Sequence, residues 1–223
     1  MPQGSIPGAL LFFLYANDLT SLLLSSNIAC CADDTKLYKT IDTCHDAELL
    51  QDDINSLGKW SSCSGLNFIE LKTKAQSITR KKALVKYPYQ LKDRPSEKLD
   101  AERDLGVWIT SDLTWSKQVV VHATTANRML GLVRRTLREV TDSCVRRTTY
   151  LAIIRPHLGY ATQIWSPQSI KLIRRAEQVQ RRATKVILNL PFHSSTSYKQ
   201  RPLTLNLLPI IYWHEYLDVI FFF

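Results

Sequence analysis

The stretch Cys30-Cys31-Ala32-Asp33-Asp34-Thr35-Lys36-Leu37-Tyr38 decides how this chain is read. Short apolar residues precede the acidic pair, and Leu37 and Tyr38 follow it. Two adjacent carboxylates between strand-like runs mark the tip of a β-hairpin, with strands expected over 28–31 and 35–39. Like charges side by side at a tight bend repel unless a cation joins them, and Mg2+ is a hard cation that carboxylate oxygens hold. Successive strand side chains point to opposite faces, so Asp33 is expected to be the principal metal ligand and Asp34 the supporting one. For an Asp–Asp pair taken alone, a solvated acidic turn is the competing reading.

Upstream, Pro2-Gln3-Gly4-Ser5 opens an apolar stretch. Pro7 suits a first helical turn, where a missing N–H costs nothing, and Leu10, Phe13 and Leu14 form an apolar face. Downstream, Asp46 reads as the N-cap of a helix in which Leu50, Ile54, Leu57 and Trp60 recur at helical spacing. Beyond Gly65 the pattern shifts to short strand candidates over 66–68, 75–79, 85–91 and 105–109. From Ser116 onward it is helical. Ala126, Met129, Leu130, Val133 and Leu137 share one face, and Leu172, Ala176, Val179, Ala183 and Val186 share another. The expected fold is α+β, with a mixed unit over 1–115 and an all-helical unit over 116–223.

At 223 residues with 45% hydrophobic content, the chain has ample material for a core, which argues against disorder. Its net charge of +9 is unevenly spread. From Ser116 onward there are 16 Lys and Arg against 5 Asp and Glu, whereas the preceding residues carry 13 against 15. Acidic chemistry in front and a basic surface behind suit an enzyme of nucleic acid. On the later helix Arg174, Gln178, Arg181 and Lys185 form a polar, mostly cationic stripe opposite the apolar one. Arg134 and Arg138 make a similar pair, with Arg128 and Arg135 nearby. Such stripes suit phosphate contacts, and a solvated helix face is the plainer alternative. The five cysteines form no CxxC, which argues for reduced thiols and an intracellular setting, nucleus or cytoplasm following from function alone. The Leu10–Leu24 run is broken by Asn17 and Asp18 and has no basic flank ahead of it, so neither a signal peptide nor a membrane span is expected.

Taken in order, Pro2-Gln3-Gly4-Ser5, Leu10-Leu11-Phe12, Asn17-Asp18-Leu19 and Ala32-Asp33-Asp34-Thr35-Lys36-Leu37-Tyr38 resemble the reverse transcriptase of non-LTR retrotransposons of the LINE class, with a chicken-repeat-like pattern. The resemblance continues through 66–74, Asp104-Leu105-Gly106-Val107, Arg155-Pro156-His157-Leu158-Gly159-Tyr160 and Gln180-Arg181-Arg182-Ala183-Thr184-Lys185 to 203–216. It implies the C-terminal part of a polymerase palm followed by a thumb-like helical region. The activity implied is two-metal addition of deoxynucleoside triphosphates to a DNA primer on an RNA template. Gln3 and Gly4 would lie beside the templating base and incoming nucleotide. Lys72 would stand near the triphosphate, and Asp104–Val107 near the primer end. Arg134, Arg138, Arg174, Arg181, Arg182 and Lys185 would meet the nucleic-acid backbone.

The resemblance also has gaps. The family's third catalytic carboxylate precedes the Gln3-Gly4 motif, so the N-terminal fingers and that palm segment are expected to be missing and the isolated chain inactive. Cys31 replaces an aromatic residue, Gly159 stands where an acid is common, and Pro202 interrupts a usually charged helix start. Two rival expectations follow: a non-enzymatic basic nucleic-acid-binding fragment, or a pseudogene product.

Overall fold

A computed structural model of the chain describes residues 6–81, 85–191 and 193–223. The fold mixes helices with small sheets and divides into two units between Asp100 and Ala101.

In the first unit, α1 (Ile6–Ala16) runs into a 3-10 turn, Asn17–Leu22. The expected apolar face of α1 forms but is not covered: Leu10, Phe13 and Leu14 are exposed. Next come β1 (Asn27–Cys31) and β2 (Asp34–Tyr38), paired antiparallel from Asn27 opposite Tyr38 to Cys31 opposite Asp34. The helix α2 (Cys44–Ser64) starts one turn before the expected place. Thr43, not Asp46, is its N-cap. The Thr43 hydroxyl accepts from the Asp46 N–H at 3.2 Å, and the Asp46 carboxylate accepts from the Thr43 N–H at 2.8 Å. Asp46 thus closes a reciprocal capping box from the third helical position. Gly65, at φ 75°, ends the helix in the left-handed conformation that glycine adopts without strain.

Within the first unit, the strands expected after Gly65 shrink to two-residue pieces. These are β3 (Lys74–Ala75), β4 (Gln90–Leu91), β5 (Arg94–Pro95) and β6 (Glu97–Lys98), with β3 parallel to β6 and β4 antiparallel to β5. No strand forms over 66–68. Side chains of α2 hold backbone groups of two of these segments. Gln51 donates to the Gln90 carbonyl at 2.8 Å and accepts from its N–H at 3.0 Å. Ser61 donates to the Leu66 carbonyl at 2.7 Å and accepts from the Phe68 N–H at 3.3 Å.

The second unit opens with the antiparallel hairpin of β7 (Ala101–Asp104) and β8 (Val107–Thr110). Helices follow: α3 (Ser116–Thr136), α4 (Ser143–Thr149), a π turn at Tyr150–Ile154, α5 (Pro156–Gly159), α6 (Thr162–Trp165), α7 (Ile170–Ile187), α8 (Gln200–Thr204) and α9 (Ile210–Phe222). The core sets Ala123, Ala126, Leu130 and Val133 of α3 with Ala176, Val179, Ala183 and Ile187 of α7, closed by Tyr150, Ile154, Leu158 and Ile210. Alanines at these positions let the two helix backbones approach closely. Pro156 has no N–H to give, and the ladder widens just before it, with the Arg155 N–H reaching back to the Tyr150 carbonyl at 2.9 Å. Among the described residues, no helix is long and apolar enough to cross a membrane.

Candidate functional site

The acidic pair sits where the sequence placed it. Cys31 and Asp34 close the β1–β2 ladder, leaving Ala32 and Asp33 as a two-residue turn. Ala32 holds φ 53°, a left-handed conformation that a residue with a Cβ adopts only at some cost. Asp33 and Asp34 are both exposed, so their oxygens are open to a metal, water or phosphate. Two carboxylates that leave other positions to water and phosphate are a donor set that suits Mg2+. Among the described residues, no group of three or more His, Cys, Asp or Glu converges as a metal site.

What holds the root of this hairpin was not foreseen. The buried Asp53 of α2 accepts from the Leu24 N–H at 3.0 Å, the Ser25 N–H at 3.2 Å and the Ser25 hydroxyl at 2.8 Å. Lys39, just past β2, donates to the Ser25 carbonyl at 3.1 Å. Burial by itself raises the Asp53 pKa. The hydrogen bonds from Leu24 and Ser25, with the Ser26 hydroxyl close beside the carboxylate but outside full bonding geometry, outweigh it and hold the group below its ordinary 3.8. Lys72 is exposed at the end of the 3-10 turn Glu70–Lys72. Gln3 and Gly4 lie outside the described residues.

In the second unit, the Asp104-Leu105-Gly106-Val107 motif is a hairpin tip. Leu105 at φ 43° and Gly106 at φ 87° form a two-residue turn closed by Asp104 and Val107. The Tyr160 hydroxyl donates to the Leu105 carbonyl at 2.8 Å, and a Cβ on Gly106 would come within 3.0 Å of the Tyr160 ring. Two segments that carry the resemblance therefore meet here. A cleft of about 410 Å3 opens beside the turn, walled in part by Arg103, His122 and Tyr160. Beneath it, the Trp108 N–H donates to the buried Gln118 carbonyl oxygen at 2.9 Å, and the Gln118 amide lies 3.0 Å from His122 Nε2. His122 Nδ1 lies 2.6 Å from the His157 carbonyl, so the ring carries its proton on Nδ1 and accepts at Nε2.

The basic residues divide into two populations. Arg134, Arg138, Arg174, Arg181 and Arg182 are exposed and Lys185 is half-buried, so the predicted stripe does face outward. Arg146, Arg155 and Arg201 are buried and serve the fold instead. Arg146 donates to the Val186 carbonyl at 2.9 Å, Arg155 to Leu208 at 3.1 Å, and Arg201 to Arg181 at 3.0 Å. Arg147 likewise reaches the Leu205 carbonyl at 2.6 Å. Part of the positive charge of this unit is therefore a set of internal braces between chain segments. A buried polar chain runs through the same region. Tyr150 donates to Gln180 at 3.0 Å, Gln180 donates to Tyr198 at 3.3 Å, and Tyr198 donates to Glu177. Glu177 also accepts from the Ile210 N–H at 2.8 Å, which caps α9. Burial pushes the Tyr150 and Tyr198 hydroxyls up, so both remain donors. A glutamine on the apolar arc of α7, between Val179 and Ala183, was the one sequence signal for this network.

Gly159 is not a simple loss of an acid. A Cβ there would lie 2.2 Å from the Trp213 ring, and the Arg155 guanidinium stacks on that ring 4.3 Å from its centre. Pro202 is buried in the first turn of α8, where its missing N–H is harmless.

In sequence, the chain compares with RNA-directed DNA polymerases of transposons. It is 27% identical over 197 residues to the probable RNA-directed DNA polymerase from transposon X-element of Drosophila melanogaster, covering 84% of this chain and 21% of that protein. It is 24% identical over 221 residues to the corresponding protein from transposon BS of the same organism, covering 92% of this chain and 24% of that one. The likeness to transposon RNA-directed DNA polymerases thus extends along most of the chain, which spans about a quarter or less of the length of these relatives. No family model and no solved structure matches it.

Proposed function

We propose that this chain forms part of a retrotransposon reverse transcriptase, the first unit contributing to the palm and the helices of the second acting as a thumb. The observation that carries the reading is the β1–β2 turn, which presents Asp33 and Asp34 together in solvent within a chain similar to transposon polymerases. Asp33 and Asp34 would hold Mg2+, which when bound lowers the pKa of the attacking primer hydroxyl and offsets charge on the departing pyrophosphate. Lys72, Gln3 and Gly4 would serve the incoming nucleotide and template. The β7–β8 tip would lie at the primer end, and the exposed arginines of α3 and α7 would take duplex phosphates. Among the described residues no third carboxylate converges with this pair, so the chain should bind metal weakly and add no nucleotide to an RNA-templated primer.

The test uses Mn2+ as a paramagnetic stand-in for Mg2+. Millimolar Mn2+ should broaden the NMR amide signals of Ala32 to Thr35 and spare those of α7, and Asp33→Ala should abolish the effect. Hairpin signals untouched by Mn2+, or primer extension by the isolated chain, would each overturn the corresponding half of the reading.

A purely nucleic-acid-binding role is favoured by one observation. Arg134, Arg138, Arg174, Arg181 and Arg182 remain exposed after the buried arginines are set aside. Salt-sensitive duplex binding that needs no divalent metal and survives Asp33→Ala is its signature.

A further inference from the structure

The seam between α3 and α7 carries a side-chain arrangement that the stripe reading does not explain. Asn127 of α3 donates its amide N–H to the Ala123 carbonyl at 2.8 Å, which fixes which way the amide points. Its oxygen then faces α7 and accepts from the Arg182 guanidinium at 3.1 Å. A carboxylate in that place would hold the arginine equally well but cancel its charge. A neutral amide orients the guanidinium and leaves the full positive charge available.

The surroundings point the same way. Arg134 lies seven residues beyond Asn127 on α3, and Arg175 lies seven before Arg182 on α7, so each shares its helix face. Arg134, Arg175 and Arg182 are all exposed. The sequence of α3 contains no Asp or Glu, and that of α7 contains only Glu177, which is committed to Tyr198 and the Ile210 N–H. The seam is therefore edged by arginines, with one of them locked in place before any ligand arrives. Preorganising a donor removes side-chain entropy that binding would otherwise have to overcome.

We propose that Asn127 is a positioning residue that holds Arg182 as a phosphate contact at the α3–α7 seam, with Arg134 and Arg175 flanking it. The ligand is the sugar–phosphate backbone of a nucleic-acid duplex, and the inference rests on the nucleic-acid reading of this unit.

The experiment measures binding of the full chain to a short RNA–DNA hybrid duplex of mixed sequence across a range of salt concentrations. Arg182→Ala should weaken binding about 5- to 10-fold and lower the slope of log affinity against log salt by about one. Asn127→Asp should do the same, because it neutralises Arg182 without removing it. Asn127→Ala should weaken binding about 2- to 4-fold with the slope unchanged, since charge stays while orientation is lost. Thermal melting of each variant reports on folding, and a purely structural Asn127 would shift melting without altering the slope. Asn127→Asp binding with wild-type affinity and slope overturns the proposal while leaving the broader reading intact. A wild-type chain that does not bind the duplex at low salt overturns both.

Discussion

Two of the hairpins of this chain, β1–β2 and β7–β8, are built on one plan and used in opposite ways. Each turns through two residues, Ala32–Asp33 in the first unit and Leu105–Gly106 in the second, and each has a non-glycine residue at positive φ. The first is held at its root, where Asp53 gathers the Leu24 and Ser25 backbone, and its tip from Cys30 to Asp34 is exposed. The second is held at its tip by Tyr160, with Val107 buried and the Trp108 N–H taken by Gln118. An acidic tip cannot be buried without a heavy desolvation cost, so its order has to come from below. A tip of Leu and Gly carries no such charge and can be pinned directly. The difference shows how one supersecondary element becomes either an open ligand platform or a fixed wall.

The largest expected effect comes from disturbing what supports the pinned hairpin. Gly159 adjoins Tyr160, and a Cβ there would overlap the Trp213 ring at 2.2 Å. Gly159→Ala should destabilise the second unit by about 3 kcal/mol, at the upper end of overpacking costs, as read by chemical denaturation. Adding Trp213→Ala should recover part of that loss, because the clash disappears with the ring. Additive losses in the double variant would show that the Gly159–Trp213 contact is not the source.

That pair marks the limit of what the sequence discloses. The Ala-Asp-Asp turn was legible because turn chemistry and short strands are local, and α3 and α7 were legible from their apolar periodicity. Asp53 reads as one more acid on an amphipathic helix, since its partners lie 28 and 29 residues earlier in the chain. Arg146, Arg155 and Arg201 look like surface charge until the carbonyls they brace are seen. Gly159 looked like a missing acid because its partner, Trp213, sits on a distant helix. Over 66–68 no strand forms, because Ser61 of α2 holds the Leu66 carbonyl and the Phe68 N–H, and apolar spacing says nothing of that; of 85–91, Gln90–Leu91 forms the strand.

Loosening the root of the open hairpin comes next in size. Asp53→Asn keeps the shape but turns one of the two accepting oxygens into an NH2 that faces the Leu24 or Ser25 donors and cannot accept from them, and should cost about 2 kcal/mol. Acid should mimic it. The folded-state pKa of Asp53 lies below its ordinary 3.8, so its contribution is complete above that value and is lost as pH falls through the folded-state pKa. The wild type should therefore lose stability faster in acid than Asp53→Asn. Parallel acid-denaturation curves for the two would disprove the role given to this carboxylate.

The smallest effect is the most direct test of the contrast. Tyr160→Phe removes one hydroxyl from the pinned tip and leaves the ring against Gly106, so the global cost should be about 1 kcal/mol. Its local signature should be clearer, namely faster amide hydrogen exchange around Leu105–Gly106 in the variant, with no change around Ala32–Asp33. If the two turns exchange at equal rates in the wild type, the Tyr160 bond does not restrain the second tip. Slow exchange confined to Leu105–Gly106, and abolished by the single lost hydroxyl, would mean that a side chain from the Arg155–Tyr160 motif sets the mobility of the Asp104–Val107 motif. The two would then act as one structural unit, although 50 residues separate Leu105 from Arg155.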